Sequence, residues 1–215
     1  MASPSGDRGI QLASALLLGL ISVVTALGVL QSGAWALESE RHGLNSADAR
    51  DQGISARVVA SQDERTDREQ GLVARDESRA TDAALAADDL EAAVLHSLRV
   101  ESALTSTSEG FRPAWEAWSA AGFTPEAAPD RDPAYLLSLY GHPDSLAAIS
   151  RVEDGIAGSY DDRAAVFNQA ALLHALALFL VGVATAGRLA LARVIVLSAG
   201  GAAFLAGLVL MATAL

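Results

Sequence analysis

The chain has 215 residues with 26 Asp and Glu against 15 Arg, no Lys and no Cys. Without Cys there are no disulfides and no thiolate metal sites. A net charge of −11 argues against a nucleic-acid partner, whose phosphates it would repel.

About half of the residues are apolar but only 5% are aromatic. Much of the apolar content is Ala, which favours helix and buries little area per residue. The exclusive use of Arg suits GC-rich bacterial coding. Residues 1–9, "MASPSGDRG", form a short terminus with Asp7 set against Arg8. The run Ile10 to Leu30 is apolar enough, and at about 30 Å long enough, to cross a bilayer core, and predicts a membrane helix over 10–36. Ala34-Trp35-Ala36 has the form of a signal-peptidase site. The long apolar run and the charge-balanced start favour a retained anchor, with Trp35 at the level of interfacial aromatics.

Residues 37–165 hold 12 Arg against 25 acidic residues, net −13, and predict an acidic helical domain. No Pro occurs between Ser5 and Arg112. The expected helix over 38–105 carries a thin apolar stripe of Leu37, Leu44, Ile54, Val58 and Leu72, with Asp51 and Arg65 at intervening sevenths. One unbroken helix of this length would reach roughly 100 Å. A reversal is therefore expected near Gln70-Gly71 or across Asp76 to Thr81. Ala83 to Leu104 is more apolar and predicts a packing face of Leu85, Leu90, Val94, Leu95, Leu98 and Leu104.

Residues 106–145 hold five of the six prolines and most aromatics outside the apolar runs. Pro113 fits a helix start and Gly122 a helix end. Phe111, Trp115, Trp118, Phe123, Tyr135 and Tyr140 read either as a ligand or partner surface or as the packed core of a small cap. Pro143-Asp144-Ser145 is expected to open a return helix into the second apolar segment.

That segment covers 166–186. A tight turn, 187–193, carries Arg188 and Arg193, and a third segment covers 194–215. The positive-inside rule puts residues 1–9 and 187–193 in the cytoplasm, and 37–165 and the C-terminus outside. Asn168 and Gln169 lie near the outer end of the second span, and His174 about 12 Å inside it. An intramembrane His is a functional hypothesis by default, but the plainer expectation is a neutral imidazole bonded to a neighbouring helix. Ala15/Gly19, Ser22/Ala26, Gly182/Ala186, Ser198/Ala202 and Ala203/Gly207 have small-xxx-small spacing, which serves close helix packing within or between chains.

No metal-ligand motif, phosphate loop, dinucleotide fingerprint or nucleophile elbow is present. His142 and Asp144 share a proline turn. Asp88-Asp89, Glu153-Asp154 and Asp161-Asp162 are adjacent acids that read as solvated faces. "WALESERHGLNSADARDQGISAR" and the closing "FNQAALLHALALFLVGVATAGRLALARVIVLSAGGAAFLAGLVLMATAL" resemble an uncharacterised bacterial inner-membrane family, a domain of unknown function with one plus two membrane helices. The resemblance implies an architecture and no activity.

The expectation is an all-α membrane protein of the bacterial cytoplasmic membrane. It has three transmembrane helices and an extracytoplasmic helical hairpin or bundle. It needs no cofactor, is not an enzyme, and sits in the lipid bilayer with a protein partner or a second copy. The expected role is a scaffold or accessory subunit; the alternative is a sensor that binds a small ligand outside.

Overall fold

The computed structural model describes residues 4–186 and 190–214. They form five α-helices: α1 Pro4–Ala86, α2 Leu90–Thr105, α3 Phe111–Ala120, α4 Pro133–Ala186 and α5 Ala190–Thr213. Two short 3-10 turns, Pro125–Ala127 and Pro129–Arg131, lie between α3 and α4, and no strand occurs among the described residues. The chain divides into two compact units. The first is Met1–Asn45 with Val152–Leu215, and the second is Ser46–Arg151.

The reversal expected near Gln70-Gly71 or Asp76 to Thr81 does not occur: α1 is one helix of 83 residues. A mid-helix Gly costs only about 1 kcal/mol, too little to stop a helix with packed neighbours. The chain turns instead at Asp88, whose φ of 60° is left-handed, a conformation that Asp tolerates better than most residues. The N–H of Asp89 donates to the Ala84 carbonyl at 2.9 Å and closes the end of α1. The Asp89 carboxylate accepts from the N–H of Ala92 at 3.0 Å and caps α2. The acid pair read as a solvated face therefore makes the turn.

The seven-residue period of α1 is present, but in another phase. Ser32, Ser39, Ser46, Gly53, Ala60, Asp67 and Ala74 recur every seven residues and all are buried. The thin apolar stripe, Leu37, Leu44, Ile54, Val58 and Leu72, is exposed. Helix α4 has its own heptad of larger residues: Leu139, Leu146, Phe167, His174 and Val181 are buried, and Glu153 and Tyr160 half-buried. A small residue on one helix admits a large one from the other. At Gly53 an added Cβ would meet the Leu146 Cβ at 3.3 Å. The Ser46 hydroxyl is 2.9 Å from that of Ser150 and 3.0 Å from its carbonyl.

Helix α4 begins ten residues before the expected Pro143. Pro133 occupies its first position, and the Asp132 carboxylate accepts from the N–H groups of Ala134 (2.7 Å) and Tyr135 (3.2 Å). Pro143 lies inside the helix and is buried. In α5, residues 190–193 are helical where a turn was expected; Arg188 lies outside the described residues.

Three helices are long and apolar enough to cross a membrane: the N-terminal part of α1, the C-terminal part of α4, and α5. In the first unit Ile21, Ala177, Val181 and Phe204 make the core. Of the small-residue pairs, Ala203/Gly207 faces this core, while Ala15/Gly19, Ser22/Ala26 and Ser198/Ala202 are exposed. The hydroxyls of Ser22 and Thr25 donate to the carbonyls of Leu18 and Ile21, so they add no unmet polarity.

Candidate functional site

The second unit holds a carboxylate away from water. Asp67 sits in the buried seam of α1 at 1% exposure, and three donors reach it. These are the Ser108 N–H (2.7 Å), the Ser108 hydroxyl (2.5 Å) and the Tyr135 hydroxyl (2.9 Å). A buried carboxylate needs such partners, since desolvating it alone costs several kcal/mol. The three bonds fasten α1, the loop before α3 and the first turns of α4 to one point. Burial, then the bond to Asp67, pushes the Tyr135 hydroxyl far above its ordinary pKa. Tyr140 donates to Glu64 at 2.6 Å, and this bond raises its pKa as well.

Around Asp67 the aromatics form a core. Phe111, Trp115, Trp118 and Tyr135 are buried, with Phe123 and Tyr140 packed against them. Phe111 meets Tyr135 edge-on at 5.4 Å, and Phe123 meets Trp118 edge-on at 5.2 Å. Gly122 ends the turn after α3 at φ 69°, as its residue type predicted, and Phe123 follows at φ 61°. This left-handed pair swings the Phe123 ring back onto Trp118, whose indole N–H donates to the Thr124 carbonyl at 2.8 Å. Gly71 is required where it stands: an added Cβ would lie 2.6 Å from Cζ of Phe111.

Against this core lies a cavity of about 220 Å³. Its floor is Phe111, Trp118 and Tyr135, its walls include Leu72, Ala128 and Pro129, and Glu64, Arg68, Arg75 and Asp130 stand around it. Arg68 bonds Glu64 at 3.1 Å and stands 3.9 Å from Asp130. The Arg75 guanidinium lies over the Trp118 ring at 5.9 Å and directs two N–H groups to a single oxygen of Asp76.

Of the six aromatics singled out by sequence, all join the core, and Phe111, Trp118 and Tyr135 line the cavity. In the sequence Asp67, Arg68 and Arg75 read as part of a solvated helix, and Gly71 as a candidate reversal. Their signal was the heptad of small residues, in whose phase Asp67 falls.

In the first unit Asn168 accepts from the Ser32 hydroxyl at 3.0 Å, and Gln169 is exposed. His174 is fully buried beside Phe204 (5.3 Å between rings), and neither ring nitrogen makes a hydrogen bond. The interhelical bond expected of it is absent. Gly207 makes room for the ring, since a Cβ there would lie 2.5 Å from Nε2. Nearer the second unit in sequence, Trp35 stacks on Tyr160 at 5.3 Å, Arg163 lies over Trp35 at 5.0 Å, and His42 bonds Glu153 at 2.6 Å.

The histidines are dispersed. His96 bonds Glu77 at 2.5 Å, clipping α2 to α1, and with Arg99 it holds the Glu77 carboxyl below its usual range. Asp144 pairs with Arg57 at 2.5 Å, and no group of three or more metal-ligating side chains occurs among the described residues. Comparison with protein-family models, curated proteins and solved structures finds no match.

Proposed function

We propose that this is a non-catalytic membrane protein that holds its second unit outside a bacterial cytoplasmic membrane to engage a protein partner, as a scaffold or accessory subunit. The membrane part of this reading is supported by the outward faces of the first unit. Leu12, Leu16, Leu20, Leu27 and Leu30 of α1, Leu172 and Phe179 of α4, and Leu205 and Val209 of α5 are all more than half exposed. Water does not solvate so large an apolar surface without cost, whereas lipid does.

The partner part is carried by one observation. Leu90, Val94 and Leu98, spaced i, i+4, i+8 on α2, are 65%, 59% and 62% exposed, with Leu95 beside them. Helix α2 packs inward through Ala93, Ala103 and Leu104, so most of the face expected to pack is turned to solvent. An apolar row on an acidic unit fits a docking face better than a solubilising one. The test is purification from the native membrane in mild detergent, wild type beside Leu90→Gln/Val94→Gln/Leu98→Gln. A stoichiometric partner that the triple variant loses supports the reading. A partner retained equally, or none, contradicts it.

A second reading, a sensor of a small ligand, is favoured by the cavity over Phe111 and Trp118. Its test is saturable binding of a small molecule that fluorescence or calorimetry detects and a cavity-filling substitution removes.

A further inference from the structure

We infer that the cavity over Phe111, Trp118 and Tyr135 is a site for a small zwitterion with an aromatic or branched apolar side chain, the chemistry of a free amino acid. This rests on the ligand-binding reading of the second unit and adds the class of ligand. The apolar half of the ligand is set by the floor. Phe111, Trp118 and Tyr135 are each under 10% exposed, yet all three border a cavity of about 220 Å³. That is room for a ring and a short polar group; an apolar cavity of about 150 Å³ holds benzene. The floor is also fixed, because Gly71 and Phe111 are in contact and Asp67 pins Tyr135.

The polar half is set by the four charges around it, two guanidinium groups and two carboxylates. A purely anionic ligand would meet Glu64 and Asp130, and a purely cationic one would meet Arg68 and Arg75. A molecule that carries an ammonium and a carboxylate on one carbon meets neither penalty. Two of the four have bonding capacity left. Asp130 stands 3.9 Å from Arg68, too far for a hydrogen bond, so its oxygens are open to an ammonium. Arg75 directs two of its five N–H groups to one oxygen of Asp76, and its stacking on Trp118 puts the guanidinium beside the floor. The carboxylate is thus assigned to Arg75, the ammonium to Asp130, and the side chain to Phe111 and Trp118. Glu64, held by Arg68 and Tyr140, stays as support.

The experiment is isothermal titration of the full-length protein in detergent with three probes: L-phenylalanine, phenylacetate and phenethylamine. L-Phenylalanine should bind at one site per chain, at least about tenfold more tightly than either singly charged probe. Asp130→Asn and Arg75→Met should each weaken it by about tenfold. Ala128→Phe, which fills the cavity, should abolish it, with an unchanged circular dichroism spectrum showing that the fold is kept; Leu72→Phe is the second filling variant if Ala128→Phe does not fold. A singly charged probe binding as tightly as L-phenylalanine would overturn the zwitterion and leave a ligand site. No saturable heat from any probe would overturn the ligand reading with it.

Discussion

Asp67 and His174 are buried polar residues that the fold treats in opposite ways. Asp67 has three donors, so removing one should strand part of a buried charge. Tyr135→Phe is expected to cost about 1–3 kcal/mol, read as a lowered midpoint of thermal unfolding. The pH dependence has a definite sign. The Tyr135 hydroxyl is raised well above 10 in the fold, whereas in the unfolded chain it ionises near 10. Its contribution is therefore complete below about pH 10 and declines as the pH rises beyond that. Alkaline titration of unfolding should show this decline, and Tyr135→Phe should reduce but not abolish it, since Tyr140 shifts in the same direction. His174 has no bond to lose. His174→Leu is expected to leave stability unchanged or to raise it, because it removes an unmet polar group. Gly207→Ala should destabilise the wild type, and less so on a His174→Ala background, since the added Cβ would lie 2.5 Å from that ring and 3.2 Å from the Ala170 carbonyl. A fall of more than about 2 kcal/mol in His174→Leu would mean that the imidazole has a partner.

At the scale of elements, helical identity was legible and helical phase was not. The apolar runs, the lack of Pro from Ser5 to Arg112 and the Pro113/Gly122 bracket each point to the helices observed. The seam of α1 was invisible to a search for large apolar residues, because it is made of Ser, Gly, Ala and one Asp. Leu37, Leu44 and Leu72 keep the same period in another phase, and large apolar residues are the usual mark of a helical seam. The turn at Asp88-Asp89 is hard to read for a related reason: Asp is a rarer left-handed residue than Gly, and Gly71 stands earlier in α1 as the more permissive site. The α4 start was legible in Asp132-Pro133, but Pro143 looked the stronger breaker. The cavity was half legible. Its aromatics stand out in a chain so poor in them, while Glu64, Arg68 and Arg75 lie in a charge-rich stretch of α1 and Asp130 in a short 3-10 turn. If the seam is as described, Ser46→Leu should overpack it and cost about 1–3 kcal/mol, whereas Val58→Ser on the exposed stripe should stay within about 0.5 kcal/mol. Thermal unfolding followed by circular dichroism distinguishes the two, and the reverse order would put the seam on the other face.

For the whole molecule the central claim is its placement: three helices in a membrane, with residues 37–165 on the outer side. The apolar outward faces of the first unit are consistent with the membrane part, and the proposed orientation rests on the positive-inside rule applied to Arg188 and Arg193. A chain without Cys allows a direct measurement. Ser61→Cys and Ser159→Cys, both at exposed positions of the helices, each give a protein with a single thiol. Each is treated with a membrane-impermeant maleimide in intact cells, or in protoplasts where a wall blocks access, and again after lysis. Labelling of both in intact cells at the level reached after lysis is the expected result. Labelling of either only after lysis would contradict the orientation, and recovery of the unlabelled protein in the soluble fraction would contradict the membrane itself.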